Sequence, residues 1–164
     1  MINYLDSISI KNHQKKLLIF DYDGTIADTS KLHEKAFYRV LHPKIKNFHY
    51  REIAGLKTID AISLSLEKNK VILSNEEIDS LVLQKQKAFR EILSKEIKPI
   101  KGSEKFLKWA KNKLKLTIAS SGSKRNVFKG LRLLGFFDFF KFVLCAEDVK
   151  YAKPDPEIFL KTLE

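Results

Sequence analysis

Three short strand-like runs set the terms for this chain: Leu17-Leu18-Ile19-Phe20, Leu114 to Ala119, and Phe142 to Ala146. Each is too short and too rich in β-branched, aromatic or leucine side chains to be read as a helix. Each also ends abruptly in acidic, hydroxyl or glycine-bearing residues. Between the second and third runs lies a helical pattern. Ser123 stands at the N-cap position, Val127, Phe128, Leu131 and Leu134 form the inward stripe, and Gly135 closes the helix. A further helix is predicted ahead of the second run, with Ser103 as its cap and Phe106, Leu107 and Ala110 inward. Strand, helix, strand, helix, strand is the rhythm of a parallel sheet with right-handed crossovers, so the sequence predicts an α/β fold with a Rossmann-like parallel core.

The stretch between the first and second strands breaks that rhythm. Leu32, Ala36, Phe37, Val40 and Leu41 recur at helical spacing, and Pro43 follows as a stop signal. A short helix is predicted over Ile59 to Leu66. Ser74 and Glu77 form a capping-box pair ahead of a long amphipathic pattern carrying Ile78, Leu81, Val82, Phe89, Ile92 and Leu93. Residues 31–97 therefore read as an all-helical insert. The core is then discontinuous, made of residues 1–30 and 98–164. Pro154 and Pro156 lead into a last helix.

Composition narrows the class of function. The 31 Lys plus Arg exceed the 20 Asp plus Glu, a net charge of +11, but only five are Arg, and the lysines are spread along the chain. The densest stretch, Lys101 to Lys115, places its lysines beside Phe106, Leu107 and Ala110, as on the wet side of an amphipathic helix. No nucleic-acid partner is expected. One cysteine, Cys145, excludes a disulfide framework and reads as a core residue. No apolar run is long enough for a membrane span or a secretory signal, and a cytoplasmic location is expected.

The residues that carry chemistry stand where the first strand ends: Asp21-Tyr22-Asp23-Gly24-Thr25. Ligands of open parallel sheets bind at the carboxyl ends of strands. Residues i and i+2 of an extended backbone share a side, so Asp21 and Asp23 can converge. Two neighbouring carboxylates ionise together comfortably only beside a cation, and a small set of oxygen ligands suits Mg²⁺. Gly24 lets the chain turn away and its amide approach an anion. Lys124, with Arg125, opens the helix after Ser120, a place for an anion or for a surface pair.

This motif in this setting resembles the first signature of the haloacid dehalogenase-like hydrolases. The likeness runs from about Leu17 to Glu164. Asp28-Thr29 and His33-Glu34-Lys35-Ala36-Phe37 are similar to the hinge and first cap helix of the phosphoglycolate phosphatase and β-phosphoglucomutase branch. Ile53-Ala54-Gly55-Leu56-Lys57-Thr58 resembles that branch's substrate-facing cap loop, and Pro99-Ile100-Lys101-Gly102 its return into the core. Ser120 after Thr117-Ile118-Ala119 matches the second signature, and Lys153-Pro154-Asp155-Pro156-Glu157-Ile158-Phe159 the third.

The resemblance implies a Mg²⁺-dependent phosphatase acting on a small phosphorylated metabolite. Asp21 would be the nucleophile and Asp23 the general acid and base, with both at the metal. Ser120 and the Ser121 amide would hold the phosphoryl group, and Lys153 would be a point charge on Asp21. Gly24, Lys124, His33, Gly55 and Lys57 would contact substrate, although His33 also suits a partly exposed helical histidine. Thr25 leans toward a phosphatase rather than a sugar-phosphate mutase, which is the alternative within the branch.

The family's fourth, acidic signature lies beyond the third, and the chain ends at Glu164 without it. The expectation drawn from this is a truncated member with weak turnover, acting as a binding or partner-dependent protein, and self-associating through an exposed first strand. Tyr4, Leu5, Ile8 and Ile10 are candidates to cover that strand.

Overall fold

The structure, a computed structural model, describes residues 17–163. The proposed cover by residues 4–10 lies outside them. The described chain divides into two compact units, one spanning Asp28–Lys98 and the other formed by residues 17–27 with 99–163.

The discontinuous unit holds a three-stranded parallel sheet in the order β1-β2-β3, with β1 at Leu17–Phe20, β2 at Lys115–Ala119 and β3 at Phe142–Leu144. Leu17 pairs with Lys115 and Phe20 with Ile118. Thr117 pairs with Phe142 and Ala119 with Leu144. β2 is central among the described strands. Its Leu116 to Ala119 are all buried, and this is why the run is apolar on both faces apart from Thr117, whose hydroxyl donates to the Phe142 carbonyl at 2.8 Å. β3 stops at Leu144, so Cys145 begins the following 3₁₀ turn, Ala146–Asp148, rather than lying in the strand.

Helices α4 (Ser103–Ala110), α5 (Lys124–Leu133) and α6 (Glu157–Lys161) belong to this unit, and Leu107, Ala110, Val127, Leu131 and Ile158 bury their side chains in it. The α5 stop is the predicted one. Gly135 has φ +70°, its amide donates to the Arg132 carbonyl, and the Phe136 amide donates back to the Leu131 carbonyl. The start of α4 differs from expectation. Gly102, at φ 89°, occupies the N-cap, and Ser103 lies inside the helix. The Ser103 hydroxyl donates instead to the Ile26 carbonyl at 3.2 Å, while the Ile100 amide takes the same oxygen at 2.9 Å. The serine thus fastens the loop after β1 rather than its own helix.

The second unit is helical: α1 (Ser30–Leu41), a 3₁₀ turn at Tyr50–Glu52, α2 (Thr58–Lys68) and α3 (Asn75–Glu96). All five residues of the α1 stripe read from spacing are buried, namely Leu32, Ala36, Phe37, Val40 and Leu41. Leu32 and Ala36 pack with Ala88, Phe89, Ile92 and Leu93 of α3. Phe37, Val40 and Leu41 join Ile53, Ala61, Ile62, Leu66 and Leu81 in a second cluster. The capping box at α3 is formed as predicted: the Glu77 amide donates to Ser74 Oγ, and the Ser74 amide donates to the Glu77 carboxylate at 2.9 Å. Among the described residues no helix is long and apolar enough to cross a membrane.

Candidate active site

Asp21 is the first residue after β1. The chain then turns tightly: the Tyr22 carbonyl accepts the amides of Ile26 and Ala27 at 3.0 and 3.1 Å, and more weakly that of Thr25. That carbonyl is occupied by the turn. The Tyr22 ring is buried, and burial first, then the charge of Asp23, keeps the phenol protonated far above its ordinary range. Alternation along the backbone therefore sends Tyr22 into the core and leaves the two aspartates for the sheet end. Gly24 takes φ +75°, a conformation that a side chain at this turn would strain, and its amide donates to the Ala27 carbonyl at 2.8 Å.

Lys153 arrives from a segment distant in sequence. Its Nζ donates to Asp21 Oδ1 at 2.7 Å and to the Ala119 carbonyl at 3.2 Å. The ammonium thus bridges the ends of β1 and β2. The pair is part-buried, with the lysine side chain 22% and the aspartate side chain 42% exposed, so one Asp21 oxygen is engaged while the carboxylate keeps access to solvent.

Ser120 follows β2 and is fully buried. Its amide donates to the Leu144 carbonyl, which extends the sheet pairing by one residue, and its Oγ accepts the Gly122 amide at 2.9 Å. Gly122 is held close to this cluster. A methyl group there would stand 3.1 Å from Ser120 Oγ, 3.2 Å from Asp23 Oδ2 and 3.0 Å from Val127 Cγ2. Asp23 and Ser120 therefore flank one point, and the structure brings Asp21, Asp23, Ser120 and Lys153 together at the carboxyl end of the sheet. Ser121 lies between Ser120 and Gly122 and is half-buried.

Lys124 is engaged elsewhere. Its Nζ pairs with Asp148 at 2.9 Å and its amide donates to Glu147 Oε2 at 2.8 Å. Hydrogen bonding to Asp148, reinforced by that charge, raises the ammonium's affinity for its proton. Burial also pushes the Cys145 thiol up to about 12, so the core reading of this cysteine stands.

His33, Gly55 and Lys57 belong to the helical unit. Gly55 turns at φ +86°, and Lys57 is the N-cap of α2. His33 stacks on Phe89 with ring centres 4.0 Å apart, and its Nδ1 lies 3.0 Å from Lys85 Nζ. Lys85 is only 3% exposed, and its ammonium sits 4.3 Å from the centre of the Phe37 ring. Sequence reading passed over this buried lysine. The available signal was its place in the α3 stripe, four residues after Leu81 and four before Phe89. It passed over Gly122 too, since nothing in a Ser-Ser-Gly string reveals how close another loop comes.

Oxygen ligands, two carboxylates on one tight turn, and open access at Asp21 suit a Mg²⁺ ion that completes its shell with water and substrate phosphate. Among the described residues there is no group of three or more acidic, histidine or cysteine side chains arranged to hold a metal.

A parallel sheet whose strand ends gather two aspartates, a serine and a lysine from three separate segments defines a hydrolase of the Rossmann-like α/β class. The haloacid dehalogenase-like hydrolase family model matches residues 18–164, and the chain belongs to that family. It is 31% identical over 152 residues to a phosphorylated carbohydrates phosphatase of Thermotoga maritima, covering 90% of this chain and 68% of that one. The β-phosphoglucomutase of Clostridium difficile superposes with a TM-score of 0.75 at 30% identity, covering 90% of this chain and 69% of the other. CbbY of Rhodobacter sphaeroides shares the fold, with a TM-score of 0.79 at 24% identity, covering 92% and 72%. The chain spans about two thirds of the length of the curated relatives it matches, 66% to 68% for the first three.

Proposed function

We propose that the protein is a Mg²⁺-dependent phosphatase of small phosphorylated metabolites, working through a phosphoryl group carried on Asp21. The single observation behind this reading is the 2.7 Å contact of Lys153 with Asp21 Oδ1 at the carboxyl end of the sheet, with Ser120 and Asp23 beside it. A lysine on one carboxylate oxygen fixes the Asp21 side chain and leaves Oδ2 to attack phosphorus. Asp23 gives its proton to the departing oxygen of the ester as the P–O bond breaks. The same carboxylate then takes a proton from the water that attacks the aspartyl phosphate, and phosphate and free Asp21 are released. Ser120 and the Ser121 amide orient the phosphoryl oxygens, and the Lys153 charge offsets the negative charge that builds on them. When bound at Asp21 and Asp23, Mg²⁺ would supply further neutralisation of phosphate charge.

In this reading residues 31–97 act as a cap that excludes water and selects the substrate, with His33, Gly55 and Lys57 as its contacts and Gly24 as the turn that admits the phosphate. A phosphorylated carbohydrate is the first substrate class to test, because a relative at 31% identity carries that name. The experiment is an assay of phosphate release from a panel of sugar phosphates, phosphoglycolate and pyrophosphate, with Mg²⁺ and with EDTA. Acid-quenched enzyme is digested alongside and examined by mass spectrometry for phosphate on the peptide containing Asp21. Mg²⁺-dependent release with a phosphorylated Asp21 peptide is expected. Phosphate moving between sugar hydroxyls without release would make the protein a mutase. No phosphoryl transfer from any substrate would sink the reading.

A further inference from the structure

Lys153 can serve Asp21 only if an irregular loop holds it there to within a fraction of an ångström. Residues 149–156 contain no helix or strand, and Lys150 and Tyr151 are exposed. Apolar packing supplies little anchorage. What fixes the loop is a carboxylate. Glu157 Oε2 accepts the backbone amides of Tyr151 at 2.8 Å and Lys150 at 2.9 Å, and Oε1 takes Lys150 again at 3.1 Å. The Lys161 ammonium lies 2.9 Å from Oε1. These amides lie six and seven residues upstream of Glu157, outside its own helix, so ordinary helix capping does not account for them.

The clamp extends further. Lys161 Nζ also donates to the Asp148 carbonyl at 2.8 Å. Asp148 accepts the Cys145 amide at 2.9 Å and pairs with Lys124 at the start of α5, the helix that follows Ser120. One polar network thus connects the loop carrying Lys153, the turn after β3 and the helix behind Ser120. Glu157 is its most heavily used acceptor. The Tyr151 amide first, then Lys161 and the Lys150 amide, hold its carboxyl at about 2.

We propose that Glu157 is a positioning residue, clamping the Lys150–Tyr151 backbone so that Lys153 stands at Asp21 and tying that loop through Lys161 and Asp148 to the Ser120 side of the site. Its effect on turnover rests on the phosphatase reading above; its effect on the loop does not. Gln in place of Glu157 retains the shape but removes the charge, and its amide nitrogen faces donors. Asp keeps the charge and withdraws it from the amides by one methylene.

The test uses the full chain with Glu157→Gln and Glu157→Asp. Amide hydrogen exchange by NMR is expected to rise at least about tenfold at Lys150 and Tyr151 while β2 amides stay unchanged. kcat per folded molecule is expected to fall about ten- to a hundredfold with KM within about twofold, since a misplaced charge costs the chemical step more than binding. A merely structural residue would lower the melting temperature and leave kcat per folded molecule alone. Unchanged exchange, or faster exchange with parental kcat, overturns the proposal. The Asp variant carries the same test if the Gln variant does not fold. If the parent chain shows no turnover, the phosphatase reading fails separately. A crystal structure of the variant then decides the clamp: Lys153 displaced from Asp21 supports it, and the parental 2.7 Å contact overturns it.

Discussion

Asp21 has to keep one oxygen free and point the same way through both halves of a reaction, and Lys153 meets the second of these needs at 2.7 Å. Asp21→Asn is nearly isosteric and removes only the nucleophilic charge. Phosphate release is expected to fall at least about a thousandfold while the far-ultraviolet circular dichroism and melting temperature stay close to the parent's. Activity within a few-fold of the parent would refute the nucleophile. Gly122 gives a second test at this scale. Its φ is not the left-handed kind, so the constraint is space: an added methyl meets Val127 Cγ2 at 3.0 Å and crowds Ser120 Oγ and Asp23 Oδ2. Gly122→Ala is expected to cut kcat about ten- to a hundredfold, since shifts near 1 Å in a reacting group cost this much. The melting temperature should move far less, and thermal denaturation alongside steady-state kinetics separates the two effects. Parental kcat in a folded Gly122→Ala protein would show that Asp23 and Ser120 tolerate displacement.

Element by element, the helices are legible because each carries its own boundary chemistry. At α3 the Ser74 and Glu77 side chains satisfy amides that would otherwise be orphaned at the helix start. Ser74→Ala is expected to lower stability by about 1 kcal/mol, read as a shifted denaturation midpoint at constant slope. A midpoint within error of the parent would mean that packing of Leu81, Phe89, Ile92 and Leu93 alone sets the helix start. The same helix shows where pattern reading stops. Lys85 occupies an apolar stripe position, and only its neighbours His33, Phe37 and Phe89 reveal that a buried ammonium is accommodated there. At α4 the local signal misleads: serine ahead of an apolar run suggests a cap, yet Gly102 takes the left-handed turn and Ser103 is claimed by Ile26. A long-range acceptor outcompeted the local amide.

Across the whole molecule, several carboxylates are held below their ordinary range by hydrogen bonds and lysines. The Tyr151 amide, Lys161 and the Lys150 amide bring Glu157 from 4.5 to about 2. Lys68 lowers Glu52. For Asp148 burial acts upward, but the Lys124 hydrogen bond, the Cys145 amide and the lysine charges outweigh it. Each such group favours the folded state once it is ionised in both states, above about 4 to 4.5, and that contribution is lost as pH falls through the folded value. The melting temperature is therefore expected to hold from pH 7 to 5 and to fall progressively between about pH 4.5 and 2. In Glu157→Gln the fall should be shallower. Calorimetry across that range checks it, and an equally steep decline in the variant would remove Glu157 from the explanation. The division of the chain at Asp28 and Lys98 also belongs to this scale.

The sequence by itself determined the parallel α/β rhythm, the helical insert, the α1 stripe, the α3 capping box and the placing of Asp21 and Asp23 after a buried strand. All of these rest on spacing within a dozen or so residues, where backbone geometry fixes which side chains share a face. It also marked Ser120 and Lys153 through motifs, without their distances. Only the tertiary structure decided that Lys153 reaches Asp21, that Lys124 is spent on Asp148, that a methyl on Gly122 would crowd Val127, Ser120 and Asp23, and that Glu157 holds amides outside its own helix. Lys153 with Asp21, Lys124 with Asp148 and Gly122 with Asp23 join segments far apart in the chain, and Glu157 closes on amides six and seven residues upstream, outside helical spacing. Such a pairing depends on which loop the sheet brings to which strand end, and no local pattern records it.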